Sequence, residues 1–319
     1  MPIQQNLRIR FTAAAALLIG GLLWFWPGVF AQVAVDADDI GGVVRGTNGP
    51  EAGVWVIAET DAFDTLFRKI VVTDDNGRYV LPDMPSADYF VWVRGYGLRD
   101  SDPVRSRPGS TLDLQAVQAA DPREAAQVYP ANYWYSLIEV PPESEFPGTG
   151  ENGNGISLGM RTQANWIDGL KQGCQLCHQL GNLATREMAS LADYETTEAA
   201  WVHRTRAGQR GGMMSGALGR FGTDHVIEHY ADWTDRIMDG EVPPMPPRPQ
   251  GQERNIVLSM WEWGGPTGYI HDEVSTDKRD PSVNADGPIY GVGFASDKLV
   301  WIDPATNEAH DIKVPVRDQ

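Results

Sequence analysis

Residues 173–182 read GCQLCHQLGN and hold the only two cysteines among 319 residues. Cys174 and Cys177 stand two residues apart, and His178 follows directly. Such a stretch serves four chemistries: a thiol redox pair, half of a zinc site, a structural disulfide, or covalent attachment of a haem. Each makes a different demand on the surrounding chain, so the rest of the sequence discriminates among them.

The compartment is the first constraint. MPIQQNLRIRF carries Arg8 and Arg10 and no acid, an apolar run leads from Ala13 through LLWFW, and Val29-Phe30-Ala31 ends in small residues. This is the pattern of a secretory signal over 1–31, cleaved after Ala31. An uncleaved anchor is the rival reading, since about 18 apolar residues span a bilayer. Pro27 and the pair Gly20-Gly21 favour cleavage, and no second run of that length follows, so no membrane span is expected in the mature chain. The expected location is periplasmic or secreted. There cysteines tend to form disulfides, yet a loop closed over two residues removes little entropy from the unfolded chain.

Without Arg8 and Arg10, 24 of the 26 basic residues remain against 43 acidic ones, a formal charge of −19. A surface that negative disfavours nucleic acid and anionic lipid and favours a basic partner. The length points to a multidomain chain of two or three units.

Residues 36–118 read as an antiparallel β-sandwich. IGGVVRGT, GVWVIAET, FRKIVVTD, GRYVLPDM and DYFVWVRG are short β-branched and aromatic runs between turn residues, and STLDLQAV supplies a last strand. In DYFVWVRG, Tyr89, Val91 and Val93 fall on one face and Phe90 and Trp92 on the other. Asp74-Asp75-Asn76-Gly77 is a tight-turn signal. Gly42-x-Val44-x-Gly46, Gly53-Val54-x-Val56 and TDDNGRYVLPDMP over 73–85 resemble the carboxypeptidase regulatory-like domain, a transthyretin-like sandwich. That resemblance covers about 80 residues and implies a scaffold or docking module without catalysis.

Residues 119–154 read as a linker wrapping the next unit, aromatic in VYPANYWYSLIEVPP and irregular in PPESEFPGTGENGNG. Residues 155–265 read as mostly helical. LGMRTQANWIDGLKQG leads into the cysteines, and ATREMASLADYETTEAAWVHRTRAG follows. In TDHVIEHYADWTDRIMDG, Val226, Ile227, Tyr230, Trp233 and Ile237 share one helical face. After the extended VPPMPPRPQ, ERNIVLSMWEW is expected as a final amphipathic helix ended by Gly264-Gly265. Residues 266–319 are a linker and then strands around turns at Ser296-Asp297 and Asp303-Pro304. They resemble one incomplete blade of a virginiamycin B lyase-like β-propeller. A single blade cannot bury its faces, so the chain is expected to be a piece of a longer one.

Within that frame the cysteine stretch can be weighed. Zinc needs three or four ligands, usually as spaced pairs; no second cysteine pair exists, so His203, His225 or His229 would have to be recruited. A thiol oxidoreductase would set the pair in an alternating βαβ context, whereas the flanks here are helical. Covalent haem c meets every demand: Cys174 and Cys177 bind the porphyrin, and His178 offers the proximal iron ligand. The domain's length, the helix before the motif and the proline-rich loop before a last helix resemble the class I cytochrome c domain.

In that family a methionine on an extended loop before the last helix takes the distal face. Met245 in VPPMPPRPQ stands in that position, Met213 and Met214 in the glycine-rich GQRGGMMSG are the alternatives, and His203, His225 and His229 are further options. Trp166, Trp201, Trp233, Trp261 and Trp263 are expected as an apolar wall, and Arg204, Arg206 and Arg210 as candidates for the propionates. The expected function is an exported monohaem cytochrome c passing single electrons to a redox partner protein, with the sandwich as docking scaffold. Two other readings stay open: a haem enzyme with an open distal position, and a polymer- or carbohydrate-binding or propeller lyase-like protein with an accessory haem domain.

Overall fold

The computed structural model describes residues 33–175, 180–188, 191–208, 211–263, 270–293 and 296–315. The segment 1–31, Cys177, His178, Arg210 and Gly264-Gly265 lie outside the described residues.

The longer strands of the first part of the described chain are β1 (Ile40–Gly46), β2 (Trp55–Thr60), β3 (Leu66–Val72), β4 (Arg78–Leu81), β5 (Tyr89–Arg94) and β6 (Val104–Ser106). β3, β2, β5 and β6 form one antiparallel sheet, with Ile57 opposite Ile70 on one side and Trp92 on the other. β4 pairs antiparallel with β1 in a second sheet, Ile40 opposite Leu81. The expected alternation holds: Tyr89, Val91 and Val93 are fully buried while Phe90 points out. They meet Ile40, Val44, Phe67 and Leu81 in the sandwich core. The sandwich is not wholly antiparallel, because β1 also pairs in parallel with Ser110–Thr111 and Leu114–Gln115. The chain returns beside β1 after a long excursion, and that direction is not encoded in local pattern.

The turn between β3 and β4 depends on Gly77. Its φ is +70°, and an added Cβ would stand 2.4 Å from the Val44 carbonyl oxygen. The Asp74 carboxylate closes the turn by accepting from the N–H groups of Asn76 and Arg78, both at 2.8 Å.

Among the described residues seven α-helices follow: α1 (Pro122–Ala126), α2 (Ala131–Tyr135), α3 (Gln163–Cys174), α4 (Leu183–Arg186), α5 (Thr197–Arg206), α6 (Gly211–Leu218) and α7 (Thr223–Met238). The first two lie in the stretch expected as linker, and Trp134 carries that stretch into the helical core. Side-chain caps start several helices: Asp121, Thr162, Asn182 and Thr196 each accept from N–H groups of the first turn. The Asn182 and Thr196 caps divide the expected run over 184–208 into α4 and α5. The glycine-rich GGMMSGAL is helical as α6. On α7 the expected stripe of Val226, Ile227, Tyr230, Trp233 and Ile237 is buried throughout. Trp55, at the start of β2, packs against the helical core through Tyr96 and Tyr129, with edge contacts at 4.9 and 5.5 Å.

The largest departure from the sequence reading concerns ERNIVLSMWEW. Gly251–Asn255 forms a 3-10 turn, and Leu258–Glu262 forms strand β7 rather than a helix. β7 pairs antiparallel with β3 over its whole length, from Leu258 opposite Ile70 to Glu262 opposite Leu66. The free edge of β3 offers a row of backbone partners, and Ile256-Val257 disfavour a helix. Trp261 then packs on Phe67 at 5.7 Å.

The chain ends in an antiparallel meander of β8 (Ile270–Val274), β9 (Ile289–Gly293), β10 (Lys298–Asp303) and β11 (Glu308–Lys313). Val300 and Ile302 are buried in it, and Trp261 Nε1 donates to Asn307 Oδ1 at 2.9 Å, tying it to the sandwich edge. Among the described residues no helix is long and apolar enough to cross a membrane.

Candidate functional site around Cys174

Helix α3 delivers Cys174. Trp166, Leu170 and Cys174 recur at four-residue steps and so share a face; the first two are buried and the cysteine is half-buried at the last turn. Gly169 permits close approach of the Phe221 ring, which an added Cβ would meet at 2.9 Å. The Cys174 thiol is free, and its Sγ lies 3.3 Å from Tyr230 Oη on α7. Burial pushes the thiol pKa up; the Tyr230 hydroxyl and the charge of Arg220 pull against it without prevailing. Burial likewise pushes Tyr230 well above the usual phenol range and Tyr135 to about 12.

Behind Cys174 lies an aromatic core. Trp201 packs on Tyr230 at 4.8 Å and on Trp233 at 6.4 Å. The indole N–H groups of these two are satisfied: Trp201 donates to Thr234 Oγ1 at 2.9 Å, and Trp233 donates to the Trp134 carbonyl at 2.9 Å. The segment after the motif docks on α2 through Gly181. Its φ is +100°, and an added Cβ would stand 2.1 Å from the Ala131 carbonyl oxygen. Thr185 accepts from the Gly181 N–H, and the buried Arg186 donates to the Gly181 carbonyl at 3.1 Å while lying 4.2 Å over the Trp134 ring. Arg186 Nε finds Glu187 at 3.7 Å, within ion-pair range but too far for a hydrogen bond. Sequence reasoning missed Gly181, Arg186, Tyr230 and Arg220. Only Gly181 carried a signal, as a glycine three residues past the histidine.

The distal-ligand candidates are dispersed. Met245 is exposed and its sulfur lies beside Gly97 of the sandwich, 3.5 Å from where a Cβ would stand. Met213 and Met214 sit on α6, which packs against α3; Met213 is exposed and Met214 half-buried. His203 is exposed beside Tyr194, ring to ring at 5.3 Å. His225 and His229 lie on α7 in a cluster with Glu145 and Trp166. Burial first, and His225 second, hold the His229 imidazole below its ordinary pKa.

Of the five tryptophans, Trp166, Trp201 and Trp233 meet in the helical core, whereas Trp261 belongs to the sandwich edge and Trp263 neighbours Gly291 of the C-terminal sheet. Arg204 is half-buried with its guanidinium 5.7 Å over Trp201; burial lowers its pKa, and no carboxylate among the described residues pairs with it. Arg206 is exposed.

Two thiols and an imidazole within five residues are the donor set of a c-type haem. The described part of the site suits that group: a free thiol at a helix end, an aromatic wall, and a desolvated guanidinium on α5. No protein-family model and no curated protein matches the chain.

Proposed function

We propose that the chain is an exported c-type cytochrome that binds one haem and passes single electrons. The observation that carries this reading is the free Cys174 thiol, presented at the end of α3 against Tyr230 and the Trp201–Trp233 core. Cys174 and Cys177 would hold the haem by thioethers and His178 would bind its iron. The haem, when bound, supplies a one-electron ferrous–ferric couple. The protein's part is to exclude water with its tryptophans, to fix the thioether end of α3, and to offer Arg204 to a propionate. For the distal position the pair on α6 is the better candidate, because α6 packs on α3 while the Met245 sulfur lies on the sandwich. The sandwich, of carboxypeptidase regulatory-like type, would serve as docking scaffold, and the acidic surface favours a basic redox partner. The C-terminal meander would be one blade of a propeller belonging to a larger oxidoreductase.

A second reading is supported by the exposure of Met245 and Met213: an iron with an open distal position. The test is expression with the leader in a host that matures c-type cytochromes, followed by a denaturing gel stained for haem. Retained stain, lost in Cys174→Ala and Cys177→Ala, is the expected result. A colourless band would overturn the proposal, and carbon monoxide binding by the stained protein would select the open-site reading.

A further inference from the structure

Helix α7 carries His225-Val226-Ile227-Glu228-His229. Histidines four residues apart lie one above the other on a helix, and their rings are 4.9 Å apart, edge to face. Glu145, on the short helical turn Glu143–Glu145, reaches the pair: its Oε2 is 3.3 Å from His225 Nε2. That contact is too poorly aligned to be a hydrogen bond, and His225 Nε2 is buried without a partner. A second orphan stands beside it. Trp166 is fully buried, its ring is 5.7 Å from His229, and its Nε1–H finds no acceptor among the described residues. Each unsatisfied buried nitrogen is costly, and both belong to side chains that flank His229.

We propose that His225, His229 and Glu145 form a binding site for a zinc-like divalent transition-metal ion, separate from the haem site. Two imidazoles and a carboxylate are a common zinc ligand set, with the fourth place left to water. Two nitrogen donors also disfavour calcium and magnesium, which prefer oxygen throughout. The ion takes the orphaned lone pair of His225. A metal-bound water or the second Glu145 oxygen gives the Trp166 N–H its acceptor. The three donors do not lie within 4.8 Å of one another as they stand, so binding requires the His229 ring to change rotamer. Glu145 is ready to receive the ion, because Asn154 Nδ2 donates to its carbonyl at 2.8 Å and fixes the turn. Cys174 takes no part, since its sulfur faces Tyr230. The surface carboxylates Asp36, Asp38 and Asp39 do gather within 4.8 Å, but nothing buried or unsatisfied accompanies them.

The test is equilibrium dialysis of the haem-loaded full chain against zinc chloride after chelator treatment, with zinc and iron counted by mass spectrometry. One saturable zinc per chain is expected, with affinity reduced by about tenfold or more in His225→Gln and in His229→Ala and the iron content and haem spectrum unchanged. On the unaltered protein, zinc should protect His225 and His229, and not His203, from diethylpyrocarbonate. That readout stands even if a variant fails to fold. Absence of saturable binding, or binding undiminished in the double variant, overturns the site. Loss of the haem spectrum on substitution would also overturn it, by making these histidines iron ligands.

Discussion

Cys174 Sγ and Tyr230 Oη lie 3.3 Å apart, joining the end of α3 to the middle of α7. The pair sets the first residue of the Cys-x-x-Cys-His stretch against the most buried phenol of the helical core. In the haem-free chain the Tyr230 hydroxyl stabilises the thiolate, while burial acts against it more strongly. Alkylation of Cys174 at mildly alkaline pH should therefore be slower than for a free thiol. Tyr230→Phe should slow it further, because removal of the donor raises the thiol pKa again. Faster alkylation in Tyr230→Phe would show that the hydroxyl shields the sulfur rather than bonding to it.

Gly181 has no room for a side chain. Gly181→Ala must either push back the Ala131 carbonyl or abandon φ near +100°. A loss of about 1–3 kcal/mol is expected, read by urea unfolding, together with a lower yield of haem-stained protein. An unchanged midpoint would mean that the loop after His178 can re-dock elsewhere.

The methionines separate by place. Met245→Ala should leave the iron spectrum unchanged, since that sulfur lies beside Gly97. Met214→Ala or Met213→Ala should abolish the weak sulfur-to-iron band of the oxidised protein and admit carbon monoxide. Loss of that band in Met245→Ala alone would move the strap over 242–250 onto the haem.

Strand β7 is expected to matter more than its length suggests. Trp261→Phe keeps the contact with Phe67 and loses the hydrogen bond to Asn307, at about 0.5–1.5 kcal/mol. Trp261→Ala should cost about 3 kcal/mol. It should also raise aggregation, because β3 then becomes a poorly covered edge. Equal stability of the two variants would place the energy in backbone pairing instead.

The turn at Asp74 gives a pH dependence of known sign. Burial raises the Asp74 carboxyl, but the Arg78 guanidinium and the N–H groups of Arg78 and Asn76 outweigh it and hold the pKa below its ordinary value. A depressed folded pKa contributes stability above the unfolded value of about 3.9, and that contribution is lost as pH falls through the folded value. Asp74→Asn should cost about 0.5–1 kcal/mol at neutral pH and flatten the loss of stability below pH 4 or so. Unfolding curves at two pH values decide it.

What the sequence determined by itself was local. Alternation in DYFVWVRG and the Asp74–Gly77 turn specified the sandwich strands, and the stripe from Val226 to Ile237 specified α7, because burial of one face leaves a period of 2 or 3.6 in the chain. The Cys174–His178 stretch could be named as a candidate site because its donors stand in consecutive residues. The tertiary structure alone decided the fate of Leu258–Glu262. Its short apolar run fits either a helix or a strand, and the open edge of β3, nearly two hundred residues earlier in the chain, made it a strand. The same holds for the gathering of Glu145, Trp166, His225 and His229, and for the pairing of Tyr230 with Cys174. These contacts join segments far apart in sequence, and no periodicity within one segment records which face of another it will meet.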